Sequence, residues 1–331
     1  MKFGPVAPGQ ALGAILAHSI PMEPAPGVAF SKGVRLTEAH VAALEAAGCD
    51  VVVVARLEAG DLHEDEAAAR IAAALTGAGL VAGEAATGRV NLRAAHAGVV
   101  EVDAAAIEAV NRINPAITVA TVAQWARLGP RGLAVTVKII PFAAAEVDVE
   151  RACVVGRGAV RLRGAALGSA SLIETRVGAG EPAEKGRRSV KGRLDRFSVR
   201  LSERVVVPHR IDDLAEALRT APGELLLILT GSATSDSADT APEAVRAAGG
   251  QVIHYGMPVD PGNLLFIGRL GRRVVIGLPG CARSPALNGA DWVMERVICG
   301  VAPEDIDIAG MGVGGLLKEI PSRPQPRERR S

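Results

Sequence analysis

Aromatic residues are scarce in this 331-residue chain: five Phe, two Trp and one Tyr, or 2% of the total. A nucleic-acid groove relies on ring faces for base stacking, so this scarcity argues against one. Charge points the same way. The chain carries 37 Lys and Arg against 36 Asp and Glu, a formal net charge of +1, without the basic excess typical of polyanion binders. The four cysteines, Cys49, Cys153, Cys281 and Cys299, show no paired spacing. They read as free thiols of a reducing compartment rather than a disulfide frame. No G-x-G-x-x-G follows a strand and opens a helix, which makes a nicotinamide dehydrogenase a weak reading. No apolar run approaches the ~20 residues needed to span a bilayer. The opening residues MKFGPVAPGQALGAILAHSI lack a charged region followed by a sustained apolar one, and their short apolar run is cut by His18 and Ser19. The expectation is a cytoplasmic protein with no membrane partner.

What is abundant is aliphatic: 49% of the residues are hydrophobic, mainly Ala, Val, Leu and Ile. Ala favours helices, Val and Ile favour strands, and the mixture predicts an α/β class. The length suggests two or three domains. Four segments are expected: a small β/α element over 1–60, a mixed α/β region over 61–165, a larger α/β domain over 166–302, and a C-terminal extension over 303–331. In the first, Thr37 is a plausible N-cap for a helix that buries Val41 and Leu44, Gly48 closes that helix, and Val51 to Val54 form a strand. The stretch Asp61–Leu80 has acids crowding a helix start and then an alanine-rich body. Strands are expected at 117–122 and 135–140, with no topology implied. The tail PSRPQPRERRS reads as a linker or disordered end.

The segment 166–302 has the clearest rhythm. Strands are expected at 170–177, 205–207, 225–229 and 274–278, and helices at 182–197, 211–219, 242–248 and 286–298. Such alternation predicts a mainly parallel sheet with right-handed crossovers. Ligands of such sheets bind beyond the carboxyl ends of the strands.

Two loops lie at those ends. In LLLILTGSATSDSAD the strand delivers Thr230, Gly231 and Ser232; Gly231 admits a ligand close to the backbone, and Thr234 and Ser235 add hydroxyls. Asp236 and Asp239 in the same loop would repel a phosphate unless a hard cation such as Mg²⁺ intervenes. Asp239 also suits the start of the next helix, where Thr240 and Glu243 have capping-box spacing, whereas capping leaves Asp236 unexplained. In VVIGLPGCARSPALNG, a Pro279-Gly280 turn precedes Arg283 and Ser284, and the Arg283 fork matches phosphate or carboxylate. No histidine stands near Cys281 in sequence, so an inert thiol is the favoured reading. Between the loops, GMPVDPGNLLFIG holds Pro261 and Gly262 in an irregular turn.

Two charged clusters read as ordinary surface. Lys185, Arg187, Arg188, Lys191, Arg193 and Arg196 fall on one expected helix whose buried side carries Val190, Leu194 and Phe197. A solvated face is the first reading there, and an electrostatic funnel for an anion the second. His63, set among Glu58, Asp61, Glu64, Asp65 and Glu66, is read as part of an acidic helix start rather than a metal centre.

The stretch GMPVDPGNLLFIGRLGRRVVIGLPGCARSPALNGADWVMERVICG resembles the end of the molybdopterin-binding domain of molybdopterin molybdotransferases, gephyrin and molybdopterin adenylyltransferases. LTGSATSDSAD is similar in placement to that domain's TGG or SGG loop with its aspartate. SKGVRLTEAHVAALEAAGCDVVVV resembles the KG-x-x-L-T helix and strand that precede the domain in molybdotransferases. Together these cover about half the chain, in the family's order. The resemblance implies a three-layer α/β/α domain that holds the pterin phosphate at Thr230, Gly231, Ser232, Asp236, Pro261, Gly262, Pro279, Gly280, Arg283 and Ser284. It implies molybdopterin or its nucleotide as ligand or substrate, in molybdenum-cofactor biosynthesis. If the chain is a transferase, Asp236 and Asp239 are its catalytic and Mg²⁺-binding acids. If it is a carrier, its partner is a nucleotidyltransferase, like the cytidylyltransferase domains joined to similar chains, or a molybdoenzyme. Self-association would also fit. Glu174-Thr175-Arg176-Val177 replaces the family's STGDEL turn, Ser232 its second loop glycine, and Cys281 its usual Asn or Asp; an MPTGAD-type motif has no counterpart. Those departures leave binding better supported than catalysis. A nicotinamide-nucleotide amidohydrolase or competence-damage-like protein is the alternative of a different class.

Overall fold

The computed structural model describes residues 1–21 and 29–317, so the Pro- and Arg-rich tail lies outside the described residues. Its class is mixed α/β. By internal contacts the chain divides into two units, Met1–His96 with Val100–Leu162, and Ala97–Val99 with the chain from Arg163 on. The expected segments 1–60 and 61–165 fall largely in the first.

In the first unit Thr37 caps the helix Glu38–Ala46 through a reciprocal exchange with His40, and the helix buries Leu44. Gly48, at φ +72, takes the left-handed position that ends it. The following strand is Val52–Arg56, one residue later than expected, because Val51 stays exposed. It pairs antiparallel with Lys2–Val6 and with Ile15–Leu16.

The acidic stretch needs a correction. Asp61–His63 is a strand, paired antiparallel with Ala143–Ala145, and the helix runs only from Glu64 to Leu75. Asp61 is drawn out of the helix start by the chain's amino group, 2.7 Å away, and by the Glu58 amide. The His63 imidazole caps the helix by accepting from the Asp65 amide at 3.3 Å. This helix packs on an antiparallel sheet of order Ile117–Thr121, Leu133–Ile139, Arg89–Ala94, Leu80–Ala82, and the helix Glu146–Val155 packs in turn against Glu64–Leu75, with Ile71, Leu75, Leu92, Val137 and Val149 in the core.

The second unit follows the predicted rhythm closely. Its strands, labelled in chain order within this unit, are β1 (Ser169–Arg176), β2 (Arg200–Leu201), β3 (Val205–Pro208), β4 (Leu225–Leu229), β5 (Gln251–Tyr255), β6 (Phe266–Leu270) and β7 (Arg273–Leu278). Its helices are α1 (Glu184–Asp195), α2 (Ile211–Thr220), α3 (Thr240–Ala247) and α4 (Gly289–Ile298). The sheet order is β2–β1–β4–β7–β6–β5, with β3 also on β1. The pairs of β1 with β2, β3 and β4, and of β4 with β7, are parallel. Strands β5 and β6 run antiparallel and were not expected, because their residues lie among the Gly and Pro of an apparently irregular stretch.

Strand residues alternate between faces. Ile173, Leu226, Ile228 and Val275 meet Leu214, Leu218, Ala244 and Val245 of α2 and α3. The opposite face carries Leu172, Leu227, Leu229 and Ile276, all buried. There Gly186 of α1 lies so close to Leu229 that an added Cβ would stand 2.9 Å from it. With α4 joined to α1 by an ion pair described below, the sheet lies between two helical layers. Helix α4 begins three residues later than expected, since Asn288 caps it by accepting from the Ala290 amide at 3.0 Å.

Gly277 faces Phe266 across β6 and β7, and a Cβ there would lie 1.9 Å from the buried ring. Gly277→Ala is expected to destabilise the second unit by about 1–3 kcal/mol, the usual cost of overpacking. Urea unfolding followed by circular dichroism measures this; an unshifted midpoint would contradict the packing.

Candidate site at the strand ends

Strand register brings the candidate loops together. Glu174 pairs with Leu229, and Leu229 with Leu278, so the residues that follow, Thr175, Thr230 and Pro279, stand side by side at one edge. The loop 256–265 enters at the same edge, because Phe266 opens β6 opposite Gly277 near the end of β7.

In the first loop the buried Thr175 hydroxyl accepts from the Gly231 amide at 2.8 Å. A Cβ on Gly231 would stand 2.7 Å from the Thr175 carbonyl oxygen, so only glycine passes here without displacing β1. The Thr230 hydroxyl donates to the Ser232 carbonyl, and the Tyr255 hydroxyl holds the Thr234 carbonyl at 3.0 Å. Partial burial, with the carboxylates of Asp236 and Asp239 nearby, pushes the Tyr255 hydroxyl above its ordinary pKa. Gly231, Ser232 and Asp236 are exposed.

The two acids play different parts. Asp239 caps α3 by accepting from the Thr240 amide at 2.6 Å, and its other oxygen accepts from the Ser235 amide of the loop at 3.0 Å. The Ser235 bond, helped by the Thr240 amide, holds its carboxyl below the usual range. Asp236 uses Oδ1 in a turn with the Ala238 amide at 2.7 Å, and no bond is seen to Oδ2 among the described residues. For a hard cation such as Mg²⁺ the fit therefore rests on Asp236, with neighbouring hydroxyls and a ligand phosphate as further oxygen donors. Among the described residues no group of three or more His, Cys, Asp and Glu is arranged to hold a metal ion.

In the second loop, Pro279 leads into a tight 3-10 turn, Gly280–Arg283. Arg283 donates from Nη2 to the Thr230 carbonyl at 2.7 Å, tying the two loops together and leaving the rest of its fork at the rim. Burial raises the Cys281 thiol above its ordinary pKa, in keeping with an inert thiol. Pro261 and Gly262 meet the start of α4: the Pro261 carbonyl accepts from the Gly289 amide at 2.8 Å, and a Cβ on Gly262 would lie 2.7 Å from the Gly289 nitrogen.

Three features escape a reading of the sequence. Arg193, assigned above to a solvated face, is 3% exposed. Its Nε donates to Asp291 Oδ1 at 2.8 Å, and its Nη atoms reach the carbonyls of Ala282, Ser284 and Ala286 at 2.8–3.0 Å. The solvated reading does suit Lys191, paired with Asp195, and exposed Arg188. A signal existed: Ser189, Val190, Arg193 and Leu194 form one helical stripe, all buried. Glu174, at the end of β1, is buried against Arg204 at 2.9 Å. His209, directly after β3, stands 2.9 Å from the Thr175 hydroxyl.

Comparison with known proteins adds little beyond this geometry. Residues 5–56 match a family model described as a domain of unknown function (DUF8806). No curated protein matches the chain. Among solved structures, the molybdopterin biosynthesis MoeA protein from Pyrococcus horikosii is similar over 92% of this chain and 76% of its own, at 12% identity and a TM-score of 0.31. A molybdenum cofactor biosynthesis protein from Pyrococcus furiosus is similar over 85% of this chain and 59% of its own, at 14% identity and a TM-score of 0.23.

Two outcomes follow from the geometry. Arg193→Met leaves buried Asp291 with only the longer contact to Arg196, at 3.5 Å, and is expected to cost about 3 kcal/mol, with Arg193→Met/Asp291→Asn recovering part of it. Urea melts of the three proteins test this, and a neutral single substitution would contradict it. Because the folded-state pKa of Asp239 is depressed, its stabilisation is present above about pH 4 and is lost as pH falls through the folded value. Asp239→Ala is expected to cost about 0.5–2 kcal/mol near pH 7. The difference from wild type should shrink in melts at pH 3; a constant difference would show that the charge plays no part.

Proposed function

We propose that this chain binds molybdopterin, or molybdopterin nucleotide, with its phosphate at the strand-end loops of the second unit, in molybdenum-cofactor biosynthesis. The observation that carries this reading is the junction of Thr230–Gly231–Ser232 with the Pro279–Gly280 turn at the ends of two adjacent parallel strands, fastened by Arg283. Those are also the segments whose sequence resembles the molybdopterin-binding domain. Gly231 and Ser232 are exposed at this edge, the Arg283 guanidinium supplies charge-assisted donors, and Ser232 and Ser284 add hydroxyls. Pro261 and Gly262 shape the neighbouring wall. Mg²⁺, held by Asp236 together with the phosphate, would offset the repulsion between them.

Within this reading a carrier is favoured over a transferase. Both oxygens of Asp239 are already engaged, one by the Thr240 amide at the start of α3 and the other by the Ser235 amide of the loop, which leaves Asp236 of these two to hold a metal or act on a bound phosphate. A nucleotidyltransferase or a molybdoenzyme would then receive the cofactor. Calorimetry or fluorescence titration with purified molybdopterin, with and without Mg²⁺, tests the proposal. Wild type is expected to bind at micromolar Kd or tighter, and Thr230→Ala/Asp236→Ala to lose at least tenfold, about 1.4 kcal/mol. A folded wild-type protein that binds no pterin form would overturn it. Mg²⁺-dependent turnover abolished by Asp236→Ala would replace the carrier with an enzyme. Hydrolysis of a nicotinamide nucleotide without pterin binding would favour the amidohydrolase alternative.

A further inference from the structure

His209 belongs to none of the segments that carry the family resemblance, yet the fold brings it to the same edge. It follows β3 directly, and its amide continues the pairing with β1 by donating to the Arg176 carbonyl at 2.9 Å. Its Nδ1 lies 2.9 Å from Thr175 Oγ1, the atom that accepts the Gly231 amide from the ligand-facing loop. One hydroxyl thus joins the ends of β1, β3 and β4.

The hydroxyl also decides the state of the ring. Thr175 is fully buried, and its oxygen already accepts from Gly231. A hydroxyl carries a single proton, and a buried one requires an acceptor. Among the described residues, the acceptor in reach of that proton is Nδ1 of His209. If Nδ1 carried hydrogen instead, the Thr175 proton would be stranded. Nδ1 therefore accepts, and the ring hydrogen sits on Nε2. Nε2 lies on the far side of the ring from Thr175, and no hydrogen bond is seen to it among the described residues.

We infer that His209 is a ligand-binding residue of this site, locked by Thr175 as the Nε2–H tautomer so that Nε2 donates a hydrogen bond to a phosphate oxygen of the bound ligand. The inference rests on the molybdopterin reading for the identity of the ligand, whereas the tautomer lock stands without it. A neutral donor suits an edge that already holds Asp236 and Asp239, because it binds an anion without pairing off against either carboxylate. The Thr175 contact also couples the ring to Gly231, so His209 and the loop amide are set by the same atom.

The test uses the full chain labelled with ¹⁵N-histidine. Long-range ¹H–¹⁵N spectra at neutral pH are expected to show His209 as a single Nε2–H tautomer, and Thr175→Val to convert it to a mixture. Addition of molybdopterin should shift the Nε2 resonance. His209→Leu should weaken molybdopterin binding about tenfold or more, and His209→Gln, whose amide places a donor near Nε2, should restore most of it. An Nδ1–H tautomer or an already mixed signal in wild type would overturn the lock. Wild-type binding that is unaltered in folded His209→Leu would overturn the donor role alone. Failure of wild type to bind molybdopterin, with the lock intact, would overturn the ligand reading and the donor role with it.

Discussion

The buried ion pair between Arg193 and Asp291 is the constraint on which the candidate site depends. A carboxylate and a guanidinium are removed from water together, a cost met only when nearly every lone pair and proton finds a partner. Here Asp291 also accepts from the Asn288 amide as half of a capping box, and Arg193 collects three carbonyls of the loop after β7. The pair therefore does more than join α1 to α4. It fixes the backbone path from Ala282 to Ala286, and with it the direction in which Arg283 leaves the chain. Arg283 then reaches the Thr230 carbonyl, and the glycine loop is held in turn.

The remaining parts follow from strand order. Parallel pairing of β1, β4 and β7 places three successive loops at one edge, and antiparallel β6 returns a fourth to it. A phosphate at this edge would meet backbone, hydroxyls and one arginine fork, beside a glycine whose missing side chain lets its loop pack directly on β1. Tyr255, Asp239 and Thr175 shape the loop from beneath, each through a bond to its backbone. Of the two acids in the glycine loop, Asp239 has both oxygens engaged, whereas no bond is seen to Oδ2 of Asp236 among the described residues.

Much of the second unit was legible in advance because its strands are short apolar runs bounded by clear stops. Leu225–Leu229 and Arg273–Leu278 lie close to their expected limits, and Thr230, Gly231, Pro279 and Gly280 fall at the strand ends as expected. What escaped the reading depends on partners distant in sequence. Asp61–His63 is a strand only because Ala143–Ala145 lies beside it, 80 residues on. Arg193 looked like one more surface cation until α4 supplied Asp291, 98 residues away. The β5–β6 pair was hidden by Gly and Pro in the intervening loop. His209 carried no motif and gains its place from the pairing of β3 with β1.

The most direct test of the account is amide chemical-shift mapping of the full chain during titration with molybdopterin. The account predicts perturbations concentrated at Gly231, Ser232, Gly280 and Arg283, with Gly262 at their margin. Binding that instead perturbs only residues of the first unit, or leaves those strand-end amides unmoved, would contradict it.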